Sequence, residues 1–120
     1  MIVNKTPTCG CCQKWVDHVR AAGFTVEVRN MDDTSGEREK AGVPPELSSC
    51  HTALVGGYAI EGHVPADVVQ KLLKERPNIA GLAVGGMPIG SPGMEQPGFE
   101  QPYNVMAFDR SGKRFVYAKR

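Results

Sequence analysis

The chain has 120 residues, a net charge of +1 and a pI near 7.7. This length is typical of one domain that buries a hydrophobic core without disulfide support, so we expect a single domain over residues 1–120. The balanced charge gives no electrostatic reason to expect nucleic-acid or anionic-membrane binding, and the apolar runs are too short to insert across a bilayer.

The first part of the chain shows a strand–helix–strand pattern. Residues 1–6 are predicted to form a short strand that ends before Pro7. A helix follows, because apolar residues between positions 12 and 22 recur at the spacing of one helix face. Thr8 is expected to cap this helix and Gly23 to end it. Residues 24–29 alternate apolar and polar side chains, which predicts a strand with one buried face.

After a polar segment with room for one short helix, the pattern becomes strand–turn–strand–helix. Residues 52–55 and 58–61 are predicted strands, and Gly56-Gly57 between them is a hairpin turn signal. Pro65 suits the first position of a helix, whose apolar stripe follows it, and Pro77 ends that helix.

The last third of the chain is rich in glycine and proline. We interpret residues 81–102 as a long functional loop. Residues 103–109 and 114–118 are predicted to form a hairpin. The domain then divides into a core over residues 1–78 and a C-terminal loop and hairpin extension over residues 79–120.

This order of elements predicts an α/β fold of the thioredoxin-like kind, a mixed sheet flanked by helices. In that arrangement the third strand lies antiparallel beside the first. The end of strand one therefore meets the start of strand three, and the end of strand four returns to the same edge.

The cysteines and two of the histidines fall where those strand ends should meet. Three of the four cysteines lie within residues 9–12, just after the first strand. Cys50 and His51 directly precede the third strand, and His63 follows the fourth. We therefore expect these side chains at one rim of the sheet.

Such a cluster favours a soft-metal or redox site. Cys9 and Cys12 have the Cys-x-x-Cys spacing of a dithiol/disulfide couple, and a helix N-terminus favours their thiolate forms. Cys11 adds a third sulfur, and three crowded thiolates repel one another unless a proton or a cation neutralises them. Thiolates and thioethers favour Cu(I), so Met87 and Met94 in the glycine-rich loop favour copper over zinc. The surplus of sulfur also permits a multinuclear site.

Simpler interpretations exist for each residue. The three clustered cysteines can form one disulfide and a spare thiol, and the protein can be a metal-free thiol–disulfide oxidoreductase that uses Cys9 and Cys12. Structural zinc is a third alternative. His51 is either a ligand or a residue that shapes its loop, and His63 either a ligand or a partner of the backbone. We expect His18 to be exposed, and Glu61 to be solvated or to cap a helix.

Motifs along nearly the whole chain resemble the bacterial CopG-type copper-resistance family, once known as a domain of unknown function. They are the Cys-x-Cys-Cys, Ser-Cys-His-Thr and Gly-Met-Pro motifs with their surroundings, in residues 8–16, 49–53, 57–66, 81–84 and 86–95. The resemblance implies a thioredoxin-like fold with a C-terminal extension, a cysteine-bridged copper cluster and a periplasmic role in copper tolerance. The chain starts almost at its first strand, so we expect either a cytosolic protein or one in which Met1 replaces a removed leader.

The combined expectation is a Cu(I) protein with several bound ions and other periplasmic copper-handling proteins as partners. Whether the bound copper does redox catalysis stays open. The expected metal ligands come from both strand ends and the loop: Cys9, Cys11, Cys12, Cys50, His51, His63, Met87 and Met94.

Overall fold

The computed structural model describes residues 1–85, 89–96, 98 and 101–120. Within these residues the helices and strands follow in this order: β1 (Ile2–Lys5), α1 (Gly10–Ala21), β2 (Glu27–Asn30), α2 (Ser35–Lys40), a short 3-10 helix (Pro45–Leu47), β3 (Thr52–Val55), β4 (Tyr58–Glu61), α3 (Ala66–Glu75), β5 (Gly81–Ala83), β6 (Asn104–Phe108) and β7 (Arg114–Lys119). The seven strands form one mixed sheet in the order β2-β1-β3-β4-β5-β6-β7. The predicted α/β class with a mixed sheet and flanking helices is confirmed, and its thioredoxin-like character stays a prediction.

No helix in these described ranges is long and apolar enough to cross a bilayer.

The strand pairing creates the expected rim. β1 pairs parallel with β2 and antiparallel with β3, and Asn4 lies opposite Thr52. β3 and β4 form the predicted hairpin, in which Thr52 lies opposite Glu61. Gly56 and Gly57, at its turn, both have positive φ angles, of 57° and 89°. The end of β1, the start of β3 and the end of β4 are therefore neighbours.

The main hydrophobic core lies between one face of the sheet and helices α1 and α3. Its largest side chain, Trp15, is fully buried, as predicted for that helix face. A second, smaller cluster contains Val43, Ala59 and Phe108. Because Ile60 belongs to the main core and neighbouring strand residues point to opposite faces, the Ala59 cluster covers the other side of the sheet.

Some boundaries differ from the sequence prediction. Cys9, not Thr8, occupies the N-cap of α1, without a side-chain capping bond, while Gly23 ends the helix with a φ of 104° as expected. Pro65 is the N-cap of α3 and not its first residue. β2 begins at Glu27, later than predicted, but the alternation holds: Phe24, Val26 and Val28 are half-buried against the main core, and the residues between them are exposed.

The largest correction concerns the segment predicted to be loop from residue 81. Residues 81–83 form β5, which pairs parallel with β4 and antiparallel with β6. All three residues are buried, and a three-residue strand buried on both faces shows no alternation in the sequence. β5 is the strand that joins the C-terminal hairpin to the rest of the sheet.

Gly81→Ala should destabilise the protein strongly. An added Cβ would lie 2.0 Å from the carbonyl oxygen of Ala59, a backbone atom of the paired strand. Overpacking of this kind costs about 1–3 kcal/mol or more in the free energy of unfolding, measurable by urea denaturation. Gly36→Ala is the control, because the added Cβ meets nothing within 4 Å. Replacing a glycine by alanine inside a helix raises the free energy of unfolding by up to about 1 kcal/mol. Equal effects of the two substitutions would show that β5 is not packed as described.

Candidate metal centre

Four cysteine sulfurs from two distant segments meet at the rim. Cys9 is the N-cap of α1, Cys11 and Cys12 lie in its first turn, and Cys50 precedes β3. The sulfur of Cys11 lies 3.4 Å from that of Cys9 and 3.8 Å from that of Cys50. All four sulfurs lie within 4.8 Å of one another. The structure thus brings together the four cysteines that the sequence singles out.

Two of these sulfurs are covalently joined. Cys9 and Cys12 form a disulfide, while Cys11 and Cys50 remain outside it. The pairing is the one that the Cys-x-x-Cys spacing allows. Only reduced sulfur is a thiolate donor, so a four-sulfur metal site requires reduction of this disulfide first.

His63 presents one ring nitrogen to the sulfurs. Its Nδ1 lies 2.6 Å from the carbonyl oxygen of Pro92, and its Nε2 lies 3.2 Å from the sulfur of Cys50. Because a carbonyl only accepts hydrogen bonds, Nδ1 carries the ring proton and Nε2 keeps its lone pair. A hydrogen bond to backbone on one nitrogen is the usual arrangement of a metal-ligating histidine. The backbone and ligand interpretations of His63 are therefore compatible.

His51 lies against the same sulfur from another side. It is fully buried, and its Nδ1 is 3.4 Å from the sulfur of Cys50. Its ring packs against Trp15 with centroids 4.5 Å apart, and Trp15 is itself held by a 2.8 Å hydrogen bond to the carbonyl oxygen of Val64. Among the described residues Nε2 of His51 has no hydrogen-bond partner. In the tautomer whose ring proton is on Nε2, the Nδ1 lone pair therefore faces the Cys50 sulfur.

Burial keeps these donors uncharged. Burial, together with the neighbouring His63, lowers the pKa of His51 to about 3. Burial also lowers the pKa of His63, although the bond to Pro92 opposes it. Burial, together with the nearby Cys11, raises the pKa of the Cys50 thiol to about 12. The imidazoles are thus neutral, as metal ligands must be, while Cys50 keeps its proton until a cation replaces it.

Glu61 supports the cysteine loop, and the expectation that it is solvated or caps a helix is wrong. It is fully buried and accepts hydrogen bonds from Arg38 Nε at 2.7 Å, from the Ser49 N–H at 2.6 Å and from the Thr52 hydroxyl. Arg38 also donates to the Ser49 carbonyl oxygen at 2.8 Å. Burial raises the pKa of the Glu61 carboxyl, and these hydrogen bonds and the Arg38 charge oppose the rise. The ion pair thus holds both backbone polar groups of the residue before Cys50.

The two predicted methionine ligands differ in what the structure shows. Met87 lies outside the described residues. Met94 is half-buried, and its backbone N–H donates to the carbonyl oxygen of Ser91 at 2.8 Å. A ligand role for either thioether stays a prediction.

His18 is not the exposed histidine that was expected. It is half-buried, and its Nε2 accepts a hydrogen bond from the backbone N–H of Ala66 at 3.1 Å. Ala66 is the first residue of α3, so His18 satisfies one of the amide groups that a helix N-terminus leaves without an intrahelical partner. Its role is in helix packing, which the spacing along α1 alone does not reveal.

The fold and the site define a mixed α/β protein with a sulfur and imidazole cluster of metal-ligand type. A family model described as "Protein of unknown function, DUF411" matches residues 47–94. Two solved structures, titled copper resistance protein CopG form 1 and form 2, are each 42% identical to this chain, with TM-scores of 0.93 and 0.94. The matches cover 99% of this chain and 94% and 95% of those chains. No curated protein matches the sequence.

The chain belongs to the CopG copper-resistance protein family. The matches extend over almost the full length of both chains, so the segments that carry the cysteines lie within them. Together with the cysteine cluster, this membership supports a copper-related role for the protein.

Gly93→Ala should move the C-terminal loop away from the site. Gly93 has a φ of 94°, and an added Cβ would lie 2.7 Å from the Cys11 carbonyl oxygen and 3.0 Å from Nδ1 of His63. We expect loss of the Pro92–His63 hydrogen bond, visible as a changed His63 ring-proton NMR signal, and a destabilisation of about 2 kcal/mol. Gly23→Ala is the control, because it shares a positive φ of 104° but meets nothing within 4 Å. An unchanged His63 signal in Gly93→Ala would refute the contact.

Glu61→Gln should cost about 3 kcal/mol in the free energy of unfolding, because it leaves the Arg38 charge without its buried partner. The Glu61 side chain is 0% exposed and that of Arg38 14%. The control is Glu27→Gln, since Glu27 pairs with Arg29 where both side chains are more than half exposed. Such surface pairs contribute at most about 1 kcal/mol. Urea denaturation measures the free energy of unfolding of both variants. Similar losses in the two would mean that the stability of the protein does not depend on the buried pair.

Proposed function

We propose that the protein binds Cu(I) in a cysteine-bridged, multinuclear site and serves in bacterial copper resistance. The observation that carries the proposal is the meeting of four cysteine sulfurs within 4.8 Å of one another. Thiolate is a soft ligand, and the softness of Cu(I) matches it. The relatives named for copper resistance add support from 42% identity.

The residues that would hold the ions fall into two overlapping donor groups. One contains the four cysteines, and the other contains Cys50, His51 and His63. Cys50 belongs to both, which supports a bridging role for its sulfur and more than one bound ion. Met94, and Met87 outside the described residues, would add thioether donors from the loop.

The chain's own groups supply the conditions for loading. Two-electron reduction of the Cys9–Cys12 disulfide makes two thiolate donors available. Loss of the Cys50 proton makes a third thiolate available. The neutral imidazoles donate without losing a proton. Bound copper would supply a one-electron Cu(I)/Cu(II) couple, which is the basis for a redox role. We infer a periplasmic location, with other copper-handling proteins there as partners, from the family membership.

A second candidate function is metal-free thiol–disulfide exchange. The observation that favours it is the Cys9–Cys12 disulfide itself. The Cys11 thiolate, whose sulfur lies 3.4 Å from that of Cys9, would attack the Cys9 sulfur, form a Cys9–Cys11 disulfide and release Cys12 as a thiolate. In this function copper is irrelevant, and Cys11 serves only exchange.

Anaerobic titration of the reduced protein with Cu(I) separates the two functions. We expect strong, saturating near-ultraviolet absorption from thiolate-to-copper charge transfer. Cys11→Ser and Cys50→Ser should each lower the number of copper ions bound, since each removes one of the clustered sulfurs. His18→Gln is the control, because His18 bonds to the Ala66 backbone and should leave the copper capacity unchanged.

The opposite outcome is equally definite. A folded, reduced protein that takes up no Cu(I) but turns over a disulfide substrate is a thiol–disulfide oxidoreductase. Full copper loading of Cys11→Ser would show that Cys11 is not a bridging ligand.

A further inference from the structure

We propose that Lys5 is the counter-cation of this site and that its charge favours the reduced form of Cys9 and Cys12. The inference rests on the proposed function, because reduction of that disulfide produces the thiolates that would bind copper. It assigns a role to the last residue of β1.

Lys5 is buried, and no acidic side chain in the described part of the chain forms an ion pair with it. It is only 4% exposed, and its Nζ donates to the carbonyl oxygen of Thr6 at 3.3 Å. None of the ion pairs found among the described residues includes it. Lysine is almost never fully buried unless its charge is paired, and an ammonium has three donors to satisfy. A buried lysine with one backbone hydrogen bond therefore indicates a specific electrostatic role.

Its place in the fold is at the rim that carries the cysteines. Lys5 is the last residue of β1, and Asn4 before it lies opposite Thr52. The next residue along, Lys5, thus lies beside the segment that contains Cys50 and His51. Alternation puts it on the same face as the core residue Val3, which is the face that α1 covers. The Lys5 charge also contributes to the lowered pKa of His51, which agrees with this proximity.

Reduction of the disulfide places negative charge where this ammonium can stabilise it. Two electrons from a thiol reductant such as glutathione break the Cys9–Cys12 bond. Each cysteine sulfur leaves as a thiolate, while two reductant thiols release their two protons to water and join in a disulfide. The products carry charge that the disulfide lacks, and attraction between opposite charges is strong in a partly buried site. Lys5 therefore shifts the equilibrium toward the reduced, copper-receptive form.

The test is the dithiol/disulfide equilibrium of the metal-free full chain in glutathione buffers. Peptide mass spectrometry after alkylation reports the Cys9–Cys12 pair specifically. Lys5→Met keeps the chain length of the side chain and removes the charge. We expect it to lower the equilibrium constant for reduction about tenfold, which is a potential about 30 mV more negative. Lys5→Arg keeps the charge and should stay within about threefold of the wild type.

Lys14→Met is the matched control, because it removes an exposed lysine charge from α1, next to the cysteines in sequence. Solvent screens that charge, so the equilibrium constant should change less than about twofold. If Lys5→Met does not fold, Lys5→Gln replaces it, since its amide can still donate to the Thr6 carbonyl. A folded neutral variant with the wild-type equilibrium constant overturns the inference.

The two proposals fail separately. The potential is measured without metal, and copper uptake is measured on reduced wild-type protein. Wild-type protein that binds Cu(I), together with an unshifted potential in the neutral variant, refutes only the role of Lys5. A shifted potential in a protein that ignores Cu(I) refutes only the copper function.

Discussion

The antiparallel pairing of β1 with β3 is the constraint on which the site depends. It places Asn4 opposite Thr52, so the chain leaving β1 and the chain entering β3 run side by side. The cysteines that begin α1 and the lone Cys50 become neighbours for that reason, although 39 positions separate Cys11 from Cys50. A slip of one residue in this register would turn every side chain of β3 to the opposite face and carry His51 away from the core.

A buried ion pair maintains that arrangement from the far side of the sheet. Glu61 accepts a hydrogen bond from the Ser49 N–H, and Arg38 donates one to the Ser49 carbonyl oxygen. Because Glu61 and Arg38 also bind each other, the backbone of the residue before Cys50 is held on both sides. Buried ion pairs add little net stability, because desolvation offsets the attraction between the charges. Their common benefit is a single geometry, which a cluster of mutually repelling sulfurs does not supply for itself. The hydrogen bond from His63 to Pro92 does the same for the imidazole.

The parts of this structure that the sequence predicts are those with local signals. Periodicity and turn residues predict β1, α1, β3 and β4, and those four elements suffice to place the cysteines together. Glu61 is buried with an ion pair to Arg38, 23 positions away in sequence, so no local pattern reveals it. The Cys-x-x-Cys spacing suits a disulfide and a metal site equally, which leaves the oxidation state undetermined. β5 is too short to show a period at all.

Three of the four cysteines at the site are more exposed than the two histidines. Cys9, Cys11 and Cys50 are half-buried, whereas Cys12, His51 and His63 are fully buried. An ion arriving from solvent therefore meets sulfur before nitrogen. Thiolates bind Cu(I) far more readily than they bind hard cations, while imidazole accepts several transition metals. In the proposed copper role, the more exposed thiolates therefore bind the ion first and discriminate against hard cations. The buried imidazoles then coordinate an ion that the thiolates already hold.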